Sequence, residues 1–131
     1  MPLKAGLTRT WHHTATVERL RNGISPRQMQ LLTAAMRGME GKPYDALFQW
    51  DDRAIYCSEF IYKAFDRGLG IKLGTLEHFR DLPLDNPDVK RLILQRYVRK
   101  GIEFNREETT ITPAAIAEDP QLEKVVALRS R

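Results

Sequence analysis

Three dipeptides in this chain pair Ser, Asn or Thr with proline, and they constrain where helices can begin. They are Ser25-Pro26, Asn86-Pro87 and Thr112-Pro113. Ser, Thr and Asn side chains accept hydrogen bonds from the free N–H groups of a helix start, and proline suits the first helical position because it lacks an N–H. Each dipeptide therefore predicts a helix. In the first one, Gln28 also completes a capping box with Ser25.

The helix after Pro26 carries an apolar stripe at helical spacing. Its members recur three and four residues apart and are Met29, Leu32, Met36 and Met39. Such a stripe lies on one face of a helix. Methionines in this pattern are more often core than a binding surface. We expect these four residues to face the core.

Residues 14–20 alternate apolar and polar side chains, with Ala15 and Val17 on one side and Thr16 and Glu18 on the other. This alternation predicts a β-strand. The segment 122–128 fits a helix or a strand. A strand near the start and helices through the rest, without βαβ alternation, predict an α+β fold. The 131 residues suit a single domain, 1–131.

Basic residues are concentrated near the start of the chain, where Glu18 is the only acid before Glu40. A transit peptide, a nucleic-acid surface or a solvated surface would each explain this. No nucleic-acid motif or interleaved aromatic accompanies the charge, so we expect a solvated surface and no nucleic-acid partner. No apolar run approaches a membrane span, so no integral membrane segment is expected. The sequence leaves the oligomeric state open.

The compartment is also left open by the sequence. The first residues carry no apolar signal region. The chain as written is therefore expected in the cytoplasm, and in the cell envelope if a further segment precedes it.

Cys57 is the only cysteine, so an internal disulfide is excluded. With Ile61, Ala64 and Phe65 it forms one face of a helix that Gly70 ends. This places Cys57 at the helix start, on the side that carries core residues. Free N–H groups at a helix N-terminus favour the thiolate, which is the nucleophilic form. A lone cysteine is nevertheless most often a small buried hydrophobe, so position alone does not decide its role.

The residues around Cys57 carry a more specific signal. They are the segments 41–45 (GKPYD), 56–64 (YCSEFIYKA) and 70–74 (GIKLG). Together they resemble the YiiX/YebB-like cysteine hydrolases, relatives of the NlpC-type peptidases. The resemblance covers most of the chain. It implies a circularly permuted papain-like fold in which the helix that bears the nucleophile packs on an antiparallel sheet.

The resemblance also assigns roles around the cysteine. Cys57 matches the nucleophile. Tyr44 and Tyr56 match positions that shape the oxyanion site together with the Cys57 N–H. Ser58 and Glu59 match helix-start residues that orient the site, with simple capping as the alternative.

The chain departs from this family in its histidines. In permuted members the catalytic histidine precedes the cysteine in a His-Val-Gly strand motif, and a second strand orients the imidazole. Neither motif is present, and the histidines are His12, His13 and His78. We expect surface roles for them, with His13 the one candidate surrogate base. The chain is thus expected to be the C-terminal part of such a domain, without its N-terminal strands.

The resemblance implies acyl-enzyme chemistry on a small-molecule, peptide or lipid substrate, by an amidase, peptidase or ester hydrolase. No cofactor is implied. One cysteine and three histidines at these spacings do not form a zinc set, so no metal site is expected. Without the upstream histidine the chain is expected to be inactive alone. The alternative is a non-catalytic ligand-binding remnant, or pseudoenzyme, of the same fold.

Overall fold

The computed structural model describes residues 14–129, which contain two antiparallel sheets, four α-helices and two short 3-10 helices, Phe79–Asp81 and Val98–Lys100. The helices are α1 (Pro26–Arg37), α2 (Cys57–Leu69), α3 (Pro87–Arg96) and α4 (Pro113–Ala117). The strands are β1 (Thr14–Leu20), β2 (Glu77–His78), β3 (Thr109–Thr110) and β4 (Leu122–Arg129). β1 pairs with β4, and β2 pairs with β3. The α+β prediction is therefore confirmed.

The three predicted helix starts are confirmed with their caps. The Ser25 hydroxyl accepts a hydrogen bond from the Gln28 N–H at 3.1 Å, and the Gln28 side chain accepts one from the Ser25 N–H at 2.8 Å. Asn86 and Thr112 likewise accept bonds from N–H groups of the first turns of α3 and α4. These local signals need no tertiary contact, because each cap satisfies donors that the helix itself leaves free.

The predicted methionine stripe of α1 is only half right. Leu32 and Met39 are buried, at 7% and 4% exposure, whereas Met29 is 50% exposed and Met36 is also exposed. The reason is the position of α2. It packs against Leu32 and against Met39, which lies two residues beyond the end of α1, and this leaves Met29 and Met36 at the margin.

Gly68 allows α1 and α2 to approach closely. A Cβ at position 68 would lie 3.0 Å from the Leu31 carbonyl oxygen and 3.1 Å from the Leu32 Cα. Both are backbone atoms, which have little freedom to move away. The small residue therefore sets the contact distance between the two helices.

The segment 122–128, which fitted either helix or strand, belongs to strand β4. β1 and β4 are antiparallel, with Val17 opposite Val126 and Glu18 opposite Lys124. The register therefore shifts between Val17 and Glu18, as at a β-bulge. Val17 is exposed, while Thr16 and Glu18 line a groove beside α2. The polar side of β1, rather than its apolar side, thus borders the groove.

Helix α2 lies between two apolar clusters, with Ala64 in one and Tyr62 in the other. Cys57 and Ile61 are exposed. The buried residues of α2 are Ser58, Glu59, Tyr62, Lys63 and Ala64. The predicted core face of Cys57, Ile61, Ala64 and Phe65 is therefore only partly right. Ala64 is buried and Phe65 packs against the cluster of Leu32 and Met39, whereas Cys57 and Ile61 at the start of the face are exposed. No helix within 14–129 is long and apolar enough to cross a membrane.

Candidate active site

Cys57 is the first residue of α2 and is exposed. Tyr56 precedes it in an extended conformation, with φ −104° and ψ 165°. The Tyr56 carbonyl accepts the first helical hydrogen bond, from the Phe60 N–H at 2.9 Å. The N–H groups ahead of Phe60, including that of Cys57, have no partner inside the helix. The sulfur and a free backbone donor therefore belong to the same residue.

A groove of about 420 Å³ runs past Cys57. Its apolar lining comes from α2, α4 and β4 and consists of Ile61, Pro113, Ile116, Ala117 and Leu122. Its polar lining consists of Thr16, Glu18 and Ser58. The groove thus presents apolar surface together with the Glu18 carboxylate, and its lining within residues 14–129 contains no Lys or Arg.

Both neighbours of Cys57 in the chain are bonded to the same distant residue, Ile111. The Ser58 hydroxyl donates to the Ile111 carbonyl at 2.7 Å. The Ile111 N–H donates to the Tyr56 phenol oxygen at 3.2 Å, and that phenol also lies 3.4 Å from the Thr110 hydroxyl. Burial raises the pKa of Tyr56. The hydroxyl of Tyr56, a residue predicted to shape the oxyanion site, thus already has two partners.

Glu59 and Lys63 form a buried ion pair one turn apart on α2. Glu59 has no exposed surface, and the Lys63 ammonium lies 2.6 Å from its Oε1. Its other oxygen, Oε2, accepts a hydrogen bond from the Tyr56 N–H at 3.2 Å. Burial raises the pKa of Glu59, and the adjacent Lys63 opposes that rise. Glu59 therefore acts as the cap at this helix start.

The Lys63 ammonium reaches the loop before α2 as well. It donates to the Asp51 carbonyl at 2.7 Å and to the Asp52 carboxylate at 3.1 Å. Arg67 binds the same Asp52 oxygen at 2.7 Å. Hydrogen bonds from Arg67 and Lys63 lower the pKa of Asp52 to about 2. Neither Lys63 nor Asp52 was predicted as part of the site. Lys63 follows Glu59 by four residues, and a charged pair at this spacing usually lies on a solvated helix face.

Tyr44 is joined through its backbone to the segment before Cys57, but it is not among the residues that line the groove. It forms an isolated bridge with Ile55, two residues before Cys57. The Ile55 N–H donates to the Pro43 carbonyl at 3.0 Å, and the Asp45 N–H donates to the Ile55 carbonyl at 3.2 Å. The Tyr44 side chain is 60% exposed and so is free to meet a ligand.

A strained turn supports the ring of Tyr56. Phe48 has φ of 54°, which is costly for a large side chain. The buried carboxylate of Asp45 holds this turn by accepting hydrogen bonds from the Leu47 and Gln49 N–H groups at 2.9 and 2.7 Å. The Phe48 ring then meets the Tyr56 ring edge-on, with centroids 5.4 Å apart. The turn fixes the residue that precedes Cys57.

His78 is the one histidine among the described residues. His78 lies in β2, and its Nδ1 is 2.9 Å from the Glu107 carbonyl oxygen. His78 does not line the groove. The surrogate-base prediction concerns His13, which lies outside the described residues, as does His12. Between residues 14 and 129, no group of three His, Cys, Asp or Glu side chains is arranged to hold a metal ion.

Comparisons with known proteins agree on one family. Residues 1–126 match the model of a family described as permuted papain-like amidase enzymes, YaeF/YiiX. The uncharacterized protein YiiX of Escherichia coli K12 is 33% identical over 124 residues, which are 95% of this chain. The chain spans 60% of the length of that relative.

A solved structure gives the same result in three dimensions. It is the crystal structure of YiiX from Escherichia coli O157:H7, which its title calls a metalloprotein. It superposes with a TM-score of 0.88 at 32% identity, over 98% of this chain and 70% of that one. The permuted papain-like fold is thereby confirmed.

Proposed function

The chain belongs to the family of permuted papain-like amidases of the YaeF/YiiX type, and we propose that it is a cysteine hydrolase that forms an acyl-enzyme on Cys57. The observation that carries the proposal is an exposed sulfur at the first position of α2, facing a groove. In the reaction the thiolate attacks a carbonyl carbon and an S–C bond forms. The bond to the leaving group then breaks, and water releases the acyl group.

The proposal gives the oxyanion two donors. The Cys57 N–H is one, because it has no partner inside the helix and moves with the sulfur. The exposed Tyr44 hydroxyl is the other, since the backbone bridge to Ile55 holds Tyr44 next to this segment. Tyr56 shapes the site through its buried ring. Ser58 and Glu59 orient the helix start through Ile111 and the Tyr56 N–H.

The leaving group also needs a proton donor in this mechanism. We keep His13 as the candidate surrogate base. We propose that residues 1–131 form one domain. The alternative to His13 is a base from another part of a longer protein. An amide needs this proton because amines leave poorly, whereas an activated ester reacts without it. An activated ester therefore tests the nucleophile alone, whereas an amide tests the nucleophile and the base together.

The lining of the groove favours an uncharged, apolar acyl group. Five of its lining residues are apolar, Glu18 would repel an anionic substrate, and the Ser58 hydroxyl is already bonded to Ile111. Burying each methylene of an acyl chain contributes about 0.8 kcal/mol. We therefore propose a carbonyl substrate with an aliphatic acyl part.

Acylation by an activated ester tests the nucleophile directly. The protein is incubated with p-nitrophenyl pentanoate, and intact mass is followed together with p-nitrophenolate release. One pentanoyl adduct is expected on Cys57, and none in Cys57→Ala. No adduct on a folded wild-type protein would contradict the proposal. Binding without any adduct would instead support the non-catalytic remnant.

A matched pair of esters tests the acyl preference. p-Nitrophenyl glutarate has the same five-carbon acyl chain as the pentanoate but ends in a carboxylate. Pentanoate is expected to acylate about tenfold faster, because the anion is unfavourable among apolar residues and near Glu18. Glu18→Gln is expected to narrow the difference. Equal rates for the two esters in wild type would refute this preference.

A further inference from the structure

Lys63 is a buried ammonium with three acceptors and no contact with the groove. Its three bonds go to Glu59 Oε1 at 2.6 Å, the Asp51 carbonyl at 2.7 Å and the Asp52 carboxylate at 3.1 Å. It also lies 4.6 Å from the centroid of the Trp50 ring. An ammonium has three N–H donors, so these acceptors use all of them. A neutral amine would leave one acceptor unpaired.

Stability alone does not explain such a pair. Removing two charges from water is costly, and apolar side chains of similar volume are often at least as stabilising. What this pair provides is a fixed orientation of the Glu59 carboxylate. Lys63 holds one oxygen of Glu59, and the other oxygen holds the Tyr56 N–H. The chain of contacts ends one residue before Cys57.

The backbone of Tyr56 is thus held at both ends. Its N–H is bound by Glu59 at 3.2 Å, and its carbonyl accepts from the Phe60 N–H at 2.9 Å. These two bonds fix φ and ψ of Tyr56, and therefore the direction in which Cys57 leaves it. The exposed Cys57 thus follows a residue whose backbone conformation is fixed.

From these contacts we propose that Lys63 is a positioning residue for Cys57, acting through Glu59 and the Tyr56 N–H; this rests on the hydrolase function proposed above. Lys63 also compensates the charge of Glu59, which would otherwise stand alone two residues from the thiolate. Its loss leaves a buried carboxylate without a partner and frees the Tyr56 backbone.

The test compares two substitutions on one helix. Lys63→Met removes the ammonium at similar length, and Arg67→Met is the matched control because Arg67 binds Asp52 but not Glu59. We expect iodoacetamide to alkylate Cys57 about tenfold more slowly in folded Lys63→Met than in wild type, at equal rates in guanidinium. Arg67→Met is expected to keep the wild-type rate, and Lys63→Arg to recover part of it. A wild-type rate in folded Lys63→Met, or an equal loss in Arg67→Met, overturns the proposal.

Glu59→Gln carries the same test if Lys63→Met does not fold. The amide has one oxygen, so it can accept from Lys63 or from the Tyr56 N–H, but not from both through separate oxygens. A folded Glu59→Gln protein is therefore expected to be alkylated more slowly than wild type, and an unchanged rate overturns the proposal. Alkylation needs no turnover. A wild type that is alkylated but never acylated thus refutes the hydrolase, while the Lys63 comparison still decides the positioning.

Discussion

The two sides of α2 are both buried but are built from opposite chemistry. One side meets α1 through Ala64 and Gly68 and is apolar. The other side also has an apolar contact through Tyr62, but it buries Ser58, Glu59 and Lys63, each with hydrogen-bond partners. Apolar packing has no direction, whereas hydrogen bonds do. The difference indicates that the α1 side supplies stability and the polar side supplies the geometry of Cys57.

The largest effect on stability is expected from the apolar side. Leu32→Ala opens a cavity beside Met39 and Ala64 and should lower the free energy of unfolding by about 2–4 kcal/mol. Leu31→Ala is the matched control, because Leu31 is 38% exposed on the same helix. It should cost less than about 1 kcal/mol. Urea unfolding measures both. A folded Leu32→Ala protein should keep the wild-type alkylation rate of Cys57. A slower rate would contradict the claim that the α1 side supplies stability without setting the geometry of Cys57.

Gly68→Ala tests how closely α1 and α2 approach. The added methyl would meet backbone atoms of Leu31 and Leu32 at 3.0 and 3.1 Å. Overpacking of this kind costs about 1–3 kcal/mol, against a gain of about 1 kcal/mol in helix propensity. A net loss of about 1 kcal/mol is expected in urea unfolding. Gly38→Ala, with its nearest contact at 3.4 Å, should be close to neutral. A Gly68→Ala protein that gains stability would show that the helices can move apart.

Ser58→Ala probes the polar side. It leaves the Ile111 carbonyl without the Ser58 hydroxyl and should cost about 1–2 kcal/mol. Unlike Leu32→Ala, it should also slow alkylation of Cys57, since Ser58 is the next residue. For the same loss in free energy of unfolding, Ser58→Ala is expected to lower the alkylation rate of Cys57 more than Leu32→Ala does. Equal ratios for Ser58→Ala and Leu32→Ala would remove the contrast between the sides.

The smallest effect concerns pH. The pKa of Asp52 lies at about 2 in the folded protein, below its usual 3.8. A lowered pKa contributes stability above about pH 4 that is lost as the pH falls towards 2. Asp52→Asn should therefore flatten the dependence of the urea midpoint between pH 4 and 2. The change is expected to be small because the Asp52 side chain is 55% exposed. An unchanged slope would contradict the ion pairs of Asp52.

Local signals in the sequence were sufficient for the helix starts and for β1, because a cap or an alternating strand is specified within a few residues. The buried face of α1 was predicted only in part, since the partner helix α2 decides which residues it covers. Ser58 and Glu59 were predicted at the start of α2, but neither their burial nor the ion pair with Lys63 was predicted. The hydrogen-bond partner of Ser58, Ile111, is 53 residues away in the chain. Position and resemblance identified Cys57 as a candidate, whereas its support by Lys63 depends on a fold that brings the loop at Asp51 back to α2.

The central claim is that the fold makes Cys57 more reactive than an ordinary cysteine. The most direct test is the alkylation rate constant of Cys57 at pH 6.5 in the native protein, divided by the rate constant in the same chain unfolded in guanidinium. Free N–H groups at the start of α2 and an exposed sulfur predict a ratio above one. A ratio of one or less would contradict the account, because the fold would then hold the thiol without activating it.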